Sequence, residues 1–378
     1  MDRIKVLIVE HFLPTNTYTN ELVKALSENC ELTVLTTRNY IHDKKLNWRC
    51  KAKLNKAYCK PLLLSGGYIV LSWLYIVWEI LFYKYDVVHV QTFKIPQIEM
   101  VLYRVCASNR LVHTVHNIMP HEVSNGDYKR YKKFYEQCNE LIVHNNYCKQ
   151  VLIQNYLIDE SKITVVPHGT YEVVDVSEQK KGDENITEFL TLGLIRKYKG
   201  IDVLLEAISL IPIEERKSIH FTIAGNHAVK LDDTDYMALI NKWELDELVT
   251  FIPKRISDND LDKLYRCADA CIFSYKEIYG SGALLMAYSY GKPTIVSDIP
   301  VFIEETNGGK TGLLFKSEDP QALSEKIVEF SRMNEAEVEV IETEIKDIVR
   351  SKYNWKVSSQ ITEDVYRKVI KVDVHKNK

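Results

Sequence analysis

The chain has 378 residues, 46% of them hydrophobic and 27% charged, with a formal net charge of −3. That composition excludes a disordered or fibrous chain and suits two domains, each large enough to bury its own core. The charge is uneven: residues 1–170 carry 21 basic against 15 acidic residues, a net of +6, and the remainder 28 against 37, a net of −9. An anionic partner is therefore expected for the first half only.

Met1-Asp-Arg-Ile-Lys-Val-Leu-Ile-Val9 starts a strand at once, which reads as a chain with no secretory signal. Strand patterns over Lys5–Val9, Glu31–Thr36, Asp86–Gln91, Arg110–His116, Glu140–His144 and Lys162–Pro167 alternate with helical patterns over Asn20–Asn29, Gln97–Ala107 and Asn146–Tyr156. A polar stretch from Val176 to Asn185 has the composition of a linker. Strand patterns then resume at Phe189–Leu192, His220–Ala224, Val249–Ile252, Ala270–Ser274 and Pro293–Ser297. Such alternation predicts parallel sheets covered by helices on both faces, and so an α/β fold of two doubly wound, Rossmann-like domains. The boundaries read as 1–175, 186–350 and a C-terminal segment 351–378. In open parallel sheets ligands bind beyond the carboxyl ends of the strands, which makes a cleft between the domains the expected site.

Eight cysteines are scattered without a C-x-x-C pair, as in a reduced cytoplasmic protein without disulfides or a zinc site. The apolar run Tyr68–Tyr83 is too short to span a membrane and is interrupted by Glu79. Just before it come Lys44, Lys45, Arg49, Lys51, Lys53, Lys56 and Lys60, opposed only by Asp43, and the run itself carries Trp73 and Trp78. A second basic cluster spans Lys129–Lys133. Cations beside tryptophan and apolar surface suit the headgroup layer of an anionic membrane, at its inner face; a plain buried helix is the competing reading. No nucleic-acid-binding motif accompanies the basic patch.

The most informative stretch is Gly193-Leu-Ile-Arg196-Lys-Tyr-Lys199-Gly200, between a strand and the helical pattern Ile201–Ile208. Strand, glycine-bounded turn with two cations, then helix is a place to hold a diphosphate, with Arg196 as a fork and Lys199 as a point charge. It lacks the G-x-G-x-x-G spacing of a dinucleotide fingerprint. A second loop, Tyr275-Lys-Glu277-Ile-Tyr-Gly280-Ser281-Gly282-Ala283, follows a strand and opens a helix that ends at Gly291. Its small residues let backbone amides approach a ligand, and Glu277 can accept hydrogen bonds from sugar hydroxyls. Asp233-Thr-Asp235 formally matches a metal-binding D-x-D, but its polar surroundings read as solvated.

Taken in order, these segments resemble the GT-B-fold glycosyltransferases of the large retaining family that includes sucrose synthases, mannosyltransferases and capsule-building enzymes. The resemblance is carried by Val166-Pro-His-Gly169, Gly193 to Gly200, Thr222-Ile-Ala-Gly225, and Leu264-Tyr with Ala268-Asp269. Tyr275 to Gly291-Lys-Pro293, Ser297-Asp298, Lys310-Thr-Gly-Leu-Leu-Phe315 and Tyr353-Asn-Trp355 complete it. It implies a hexosyltransferase moving a sugar from a UDP- or GDP-linked donor to a hydroxyl, with retention. It further implies a lipid-linked glycan acceptor in cell-surface polysaccharide biosynthesis, and a C-terminal helix that returns to the first domain. It implies His116 as the histidine that contacts the donor sugar. Beside His116 the catalytic set is Arg196, Lys199 and Glu277. Donor contacts fall at Gly193, Gly225, Lys254, Ile256, Gly280, Ser281, Gly282 and Ala283. Acceptor contacts fall at Asn16, Thr17, Tyr18, His121 and Glu122. No cofactor or metal is expected, and no nucleic-acid partner.

The family's E-x7-E pair is not matched: eight residues after Glu277 stands Leu285, and alignment on Gly291 puts Ile278 and Met286 at the two positions. The family's arginine would fall at Leu194, not Arg196. A divergent subgroup fits these shifts. A sugar-nucleotide epimerase of the same architecture and a noncatalytic partner subunit remain as alternatives.

Overall fold

The computed structural model describes residues 3–11, 17–35, 49–50, 62–93, 95–119, 126–171, 185–227 and 229–376. The chain forms two compact units, one of residues 1–169 with 354–378 and the other of residues 170–353. The division falls earlier than 175, and residues 176–184 of the stretch with linker composition lie outside the described residues.

The strands of the first unit are β1 (Ile4–Val9), β2 (Cys30–Leu35), β3 (Arg49–Cys50), β4 (Val87–Val90), β5 (Leu111–Thr114), β6 (Glu140–Val143) and β7 (Ile163–Val165). Its helices are α1 (Thr17–Leu26), α2 (Leu62–Phe82), α3 (Pro96–Cys106), α4 (Asp127–Gln137) and α5 (Asn146–Gln154), joined by the C-terminal helix Trp355–Lys376. All strand pairs are parallel, in the order β3-β2-β1-β4-β5-β6-β7. β4, β5 and β6 are buried at every position, as strands covered on both faces must be. The C-terminal helix enters this unit's core through Val365, Tyr366 and Val369, which pack with Leu22, Leu26 and Val34.

The second unit has β8 (Thr187–Leu192), β9 (Ile219–Ala224), β10 (Val249–Ile252), β11 (Ala270–Phe273), β12 (Thr294–Ser297) and β13 (Gly312–Phe315), again all parallel, in the order β10-β9-β8-β11-β12-β13. The helices are α6 (Ile201–Leu210), α7 (Tyr236–Lys242), α8 (Asp258–Cys267), α9 (Gly282–Ser289), α10 (Pro300–Glu305), α11 (Pro320–Ser331) and α12 (Glu335–Ser351), so the C-terminal helix is α13. Both sheets thus start in the middle, run outward to one edge, return and run to the other. Each has its topological switch point beside its first strand, between β1 and β4 and between β8 and β11.

Several expected strands run too long. Gln91, His116, His144, Pro167 and Ser274 lie just past the carboxyl ends of their strands. Apolar patterning does not stop where the ladder stops, because these residues are still buried or half-buried beneath the neighbouring loops. The strand at Gly312–Phe315, read in the sequence only as a motif, completes the second sheet by pairing with β12. A Cβ on Gly312 would lie 1.8 Å from the Thr294 carbonyl oxygen, so that close pairing requires glycine.

Candidate functional site

At the switch point of the second sheet, the loops after β8, β9 and β11 converge. Gly193 follows β8 with φ +130° and Gly225 follows β9 with φ +148°. Their backbones are stacked: a Cβ on Gly225 would fall 1.8 Å from the Gly193 carbonyl oxygen, and Gly193 N–H donates to Ala224 O at 3.0 Å. Residues 197–199 make one 3₁₀ turn, and Gly200 caps α6 in the left-handed region, φ 63°. The Cβ position of Gly200 is filled by the Ser274 carbonyl, 2.0 Å away, and Ser274 Oγ donates to the Lys199 and Gly200 carbonyls at 3.0 and 2.9 Å. The cationic turn is therefore tied to the β11 loop by its own backbone.

The two cations of that turn are not the solvated side chains their composition suggests. Lys199 is only 6% exposed, with Nζ 5.1 Å over the Tyr275 ring and so close to Gly193 that a Cβ there would lie 2.7 Å from it. Burial lowers its pKa. Arg196 is half-buried, and its Nε is a buried donor without a partner. Among the described residues no carboxylate pairs with either cation. Nearby Asp202 is engaged instead by Lys276 Nζ at 2.8 Å. Two partly desolvated cations with no anion of their own are unfavourable unless an anion arrives to match them.

Beyond the β11 loop, Ser281 caps α9 by accepting the Leu284 N–H at 3.1 Å. The Ser281 N–H is itself taken by the carboxyl of Glu305, at the end of α10. Gly282 and Ala283 open the first turn of α9, where backbone amides have no partner within the helix, and the Tyr171 hydroxyl is 3.1 Å from where a Gly282 Cβ would stand. Burial pushes Glu305 up to about 8, so it is a neutral acid at pH 7, and its Oε2 is buried without a partner. Sequence reasoning missed it, since nothing in Pro300–Glu305 marks that carboxyl as the inward-facing one. Glu277 is exposed, whereas Ile278 and Met286, at the E-x7-E positions, pack against the core. Lys254 is exposed and Ile256 half-buried, after β10. Asp233 and Asp235 are exposed, and Asp235 caps α7.

At the switch point of the first sheet the residues are mostly histidines. His116 Nε2 lies 3.1 Å from the side-chain carbonyl of Gln91, just past β4, and its Nδ1 lies 3.3 Å from His144 Nε2, just past β6. His144 Nδ1 donates to the Val166 carbonyl at 3.0 Å. Both ring nitrogens of His116 are thus engaged, and any further group reaching Nε2 must replace Gln91. Burial holds His116 and His144 neutral, His116 well below the usual histidine range and His144 at about 4. Tyr18 is 3% exposed, its ring 4.9, 4.8, 4.8 and 5.2 Å from those of His116, His144, His168 and Trp355. Expected as an acceptor contact, it is instead a core residue on the inner face of α1. Thr17 opens α1, while Asn16, His121 and Glu122 lie outside the described residues. Gln91, His144 and His168 were missed, although histidine recurring after strand patterns was the available signal. Glu10, the first residue past β1, is a further polar residue here. It is fully buried and accepts from Thr19 and Thr92 at 2.9 and 2.5 Å.

Two comparisons of sequence families cover most of the chain. Residues 174–347 match the family described as glycosyl transferases group 1, and residues 15–171 match glycosyltransferase family 4. The chain belongs to the GT-B glycosyltransferases. Among curated relatives, the glycosyltransferase is 23% identical over 317 residues to a D-inositol 3-phosphate glycosyltransferase of Corynebacterium jeikeium, covering 76% of this chain and 73% of that one. It is 28% identical over 209 residues to the O-antigen chain mannosyltransferase RfbU of Salmonella typhimurium, an alignment spanning 52% of this chain and 54% of the relative. Among solved structures, HepE of Anabaena in complex with UDP and glucose has the same fold, with a TM-score of 0.72, 15% identity, and 96% and 99% of the two chains covered.

Proposed function

We propose that this glycosyltransferase moves a hexose from a UDP- or GDP-linked donor to a hydroxyl of a lipid-linked glycan, with retention at the anomeric carbon, in cell-surface polysaccharide synthesis. The observation that carries the donor half is the unmatched pair Arg196 and Lys199 beside Gly193, with no carboxylate partner among the described residues. The diphosphate supplies the missing anion, and the amides of Gly282 and Ala283 add hydrogen-bond donors at a helix N-terminus. As the bond from the anomeric carbon to the leaving phosphate oxygen breaks, negative charge grows where those groups stand. The acceptor oxygen forms the new bond, and its proton passes to the leaving phosphate, so no enzyme carboxylate acts as nucleophile. In this reading Arg196 and Lys199 neutralise the diphosphate without a divalent metal, and His116 is the residue of the first unit that acts on the transferred sugar. The nucleotide in the HepE complex and the polysaccharide relatives support the reading.

A membrane surface as the place of work is supported by α2. Glu79, the residue that interrupts its apolar run, faces inward and accepts the Tyr85 hydroxyl at 2.5 Å, while Leu71, Leu74, Trp78, Leu81 and Phe82 are exposed. Ile98, Val101 and Val105 of the adjoining α3 are exposed too. Contiguous exposed apolar surface of this kind marks an interaction site. No helix among the described residues is long and apolar enough to cross a membrane. The cations at 44–60 are not described apart from the backbone of Arg49, but Lys129 and Lys133 on α4 are exposed.

A thermal-shift panel of nucleotides and sugar nucleotides, followed by transfer assays on lipid-linked acceptors with and without EDTA, tests the donor half. UDP- or GDP-sugars should raise the melting temperature, Arg196→Ala should abolish the rise and lower kcat/KM by at least about a hundredfold, and EDTA should change neither. A panel in which no sugar nucleotide stabilises the protein would sink the reading.

A further inference from the structure

The polar chain around His116 admits one arrangement of protons. Its anchor is the Val166 carbonyl, which can only accept. His144 Nδ1 faces that oxygen at 3.0 Å, so in a neutral ring Nδ1 carries the hydrogen and Nε2 keeps the lone pair. His144 Nε2 in turn lies 3.3 Å from His116 Nδ1. Two lone pairs would repel there, so His116 donates from Nδ1 and its own lone pair stays on Nε2.

That lone pair meets the Gln91 side chain at 3.1 Å. A carbonyl cannot donate to it, so the Gln91 amide is turned, its NH₂ toward His116 and its oxygen toward His89; amide oxygen and nitrogen are interchangeable by shape. The turned oxygen lies 3.2 Å from His89 Nε2 and 3.5 Å from its Nδ1, off the line of either ring nitrogen, and His89 instead meets Thr114 Oγ1 and the Tyr366 hydroxyl, each at 2.7 Å. Every bond from Gln91 to Val166 is then satisfied in a single sense with uncharged rings, which suits rings whose pKa values burial has driven down. Any other tautomer of His116 leaves a repulsive contact in a buried network, where each mismatch is costly.

We propose that His144, held by the Val166 carbonyl, is a positioning residue that fixes His116 as the Nδ1–H tautomer and so presents Nε2 as an acceptor. The proposal rests on the reading of His116 as the residue that acts on the transferred sugar. An Nε2 lone pair accepts from a sugar hydroxyl and does not donate to a ring or phosphate oxygen, and the Gln91 amide is the group the hydroxyl displaces. That sets the chemical class of the contact: a donor sugar with a free hydroxyl at that point, as opposed to a deoxy position there.

The test is histidine ¹⁵N NMR of the full chain, which reads the two ring nitrogens separately. His116 should show a protonated Nδ1 and a bare Nε2. His144→Phe keeps an aromatic ring beside Tyr18 but removes the acceptor, and should move the hydrogen of His116 to Nε2. His144→Gln places an amide oxygen where Nε2 stood and should restore the native tautomer. With a full-length donor kcat/KM should fall about tenfold in the phenylalanine variant, the rate equivalent of one hydrogen bond, and return in the glutamine variant. A wild-type His116 protonated on Nε2, alone or together with Nδ1, overturns the proposal, and that spectrum decides the matter even where a variant does not fold. The native tautomer persisting in His144→Phe overturns it as well. Full activity in His116→Ala, with the tautomer as expected, overturns the sugar-contact role while leaving the positioning by His144 intact.

Discussion

Glu305 shows what a single buried group does when the fold sets its surroundings. It is 6% exposed, and desolvation outweighs both the Ser281 N–H that it accepts and the attraction of the Lys352 cation, raising its pKa to about 8. The folded-state pKa lies above the ordinary carboxyl value, so its contribution to stability is complete below about pH 4.5 and is lost as pH rises through 8. Between pH 7 and 9 the buried His89, His113, His116, His144 and His168, whose pKa values burial lowers, are uncharged in the folded protein, and they are the same in a Glu305 variant, so the difference between the two proteins isolates Glu305. The melting temperature of the wild type should therefore fall over that window, and Glu305→Gln, which keeps an amide oxygen for Ser281, should flatten the fall. Scanning calorimetry at pH 7, 8 and 9 checks it; identical slopes for the two proteins would rule Glu305 out as the titrating group. Arg196 and Lys199 carry the opposite lesson. Two cations in a loop look like solvated surface, and only their burial without a partner makes them candidates for an anion.

At the scale of elements, the parallel strands determine the site by where they stop. Gly193 and Gly225 end neighbouring strands with backbones that leave no space for a side chain between them, whereas Gly291, at φ 64° after α9, has no atom within 4 Å of its Cβ position. Gly291→Ala should cost only the left-handed backbone strain, about 1–2 kcal/mol. Gly225→Ala must also push apart the β8 and β9 loops, so it should cost more than about 4 kcal/mol and abolish stabilisation by nucleotide. Urea unfolding of both variants compares the two, and equal losses would show that the stacked turns yield easily. The helix patterns were legible within a few residues because burial of one face imposes its period on the sequence. Strand ends were not, because Gln91, His116, His144 and Ser274 continue the buried pattern after the hydrogen-bond ladder has finished.

For the whole molecule, the telling feature is an inverted helix. α2 buries Glu79 beside Ile76 and Ile80 and turns Leu74, Trp78, Leu81 and Phe82 outward, the reverse of a helix on a water-facing surface. Membrane contact on this face predicts flotation with vesicles containing anionic lipid, weakened at high salt. Leu81→Glu together with Val105→Glu should abolish flotation while leaving the melting temperature within about 2 °C, since both side chains are exposed and surface changes alter stability little. Flotation independent of lipid charge would remove the electrostatic part of the idea, and unchanged flotation of the double variant would remove the apolar part.

The sequence by itself determined the two Rossmann-like sheets, the cationic turn and the family, because hydrophobic periodicity, glycines at backbone-limited turns and the order of motifs are local properties. Which side chains face one another was decided only by the tertiary structure. His116 meets Gln91 and His144, and Ser281 meets Glu305, across many residues of chain. Local pattern carries no record of such partners. They are set by which strand lies next to which, and in each sheet by the reversal of strand order at its first strand.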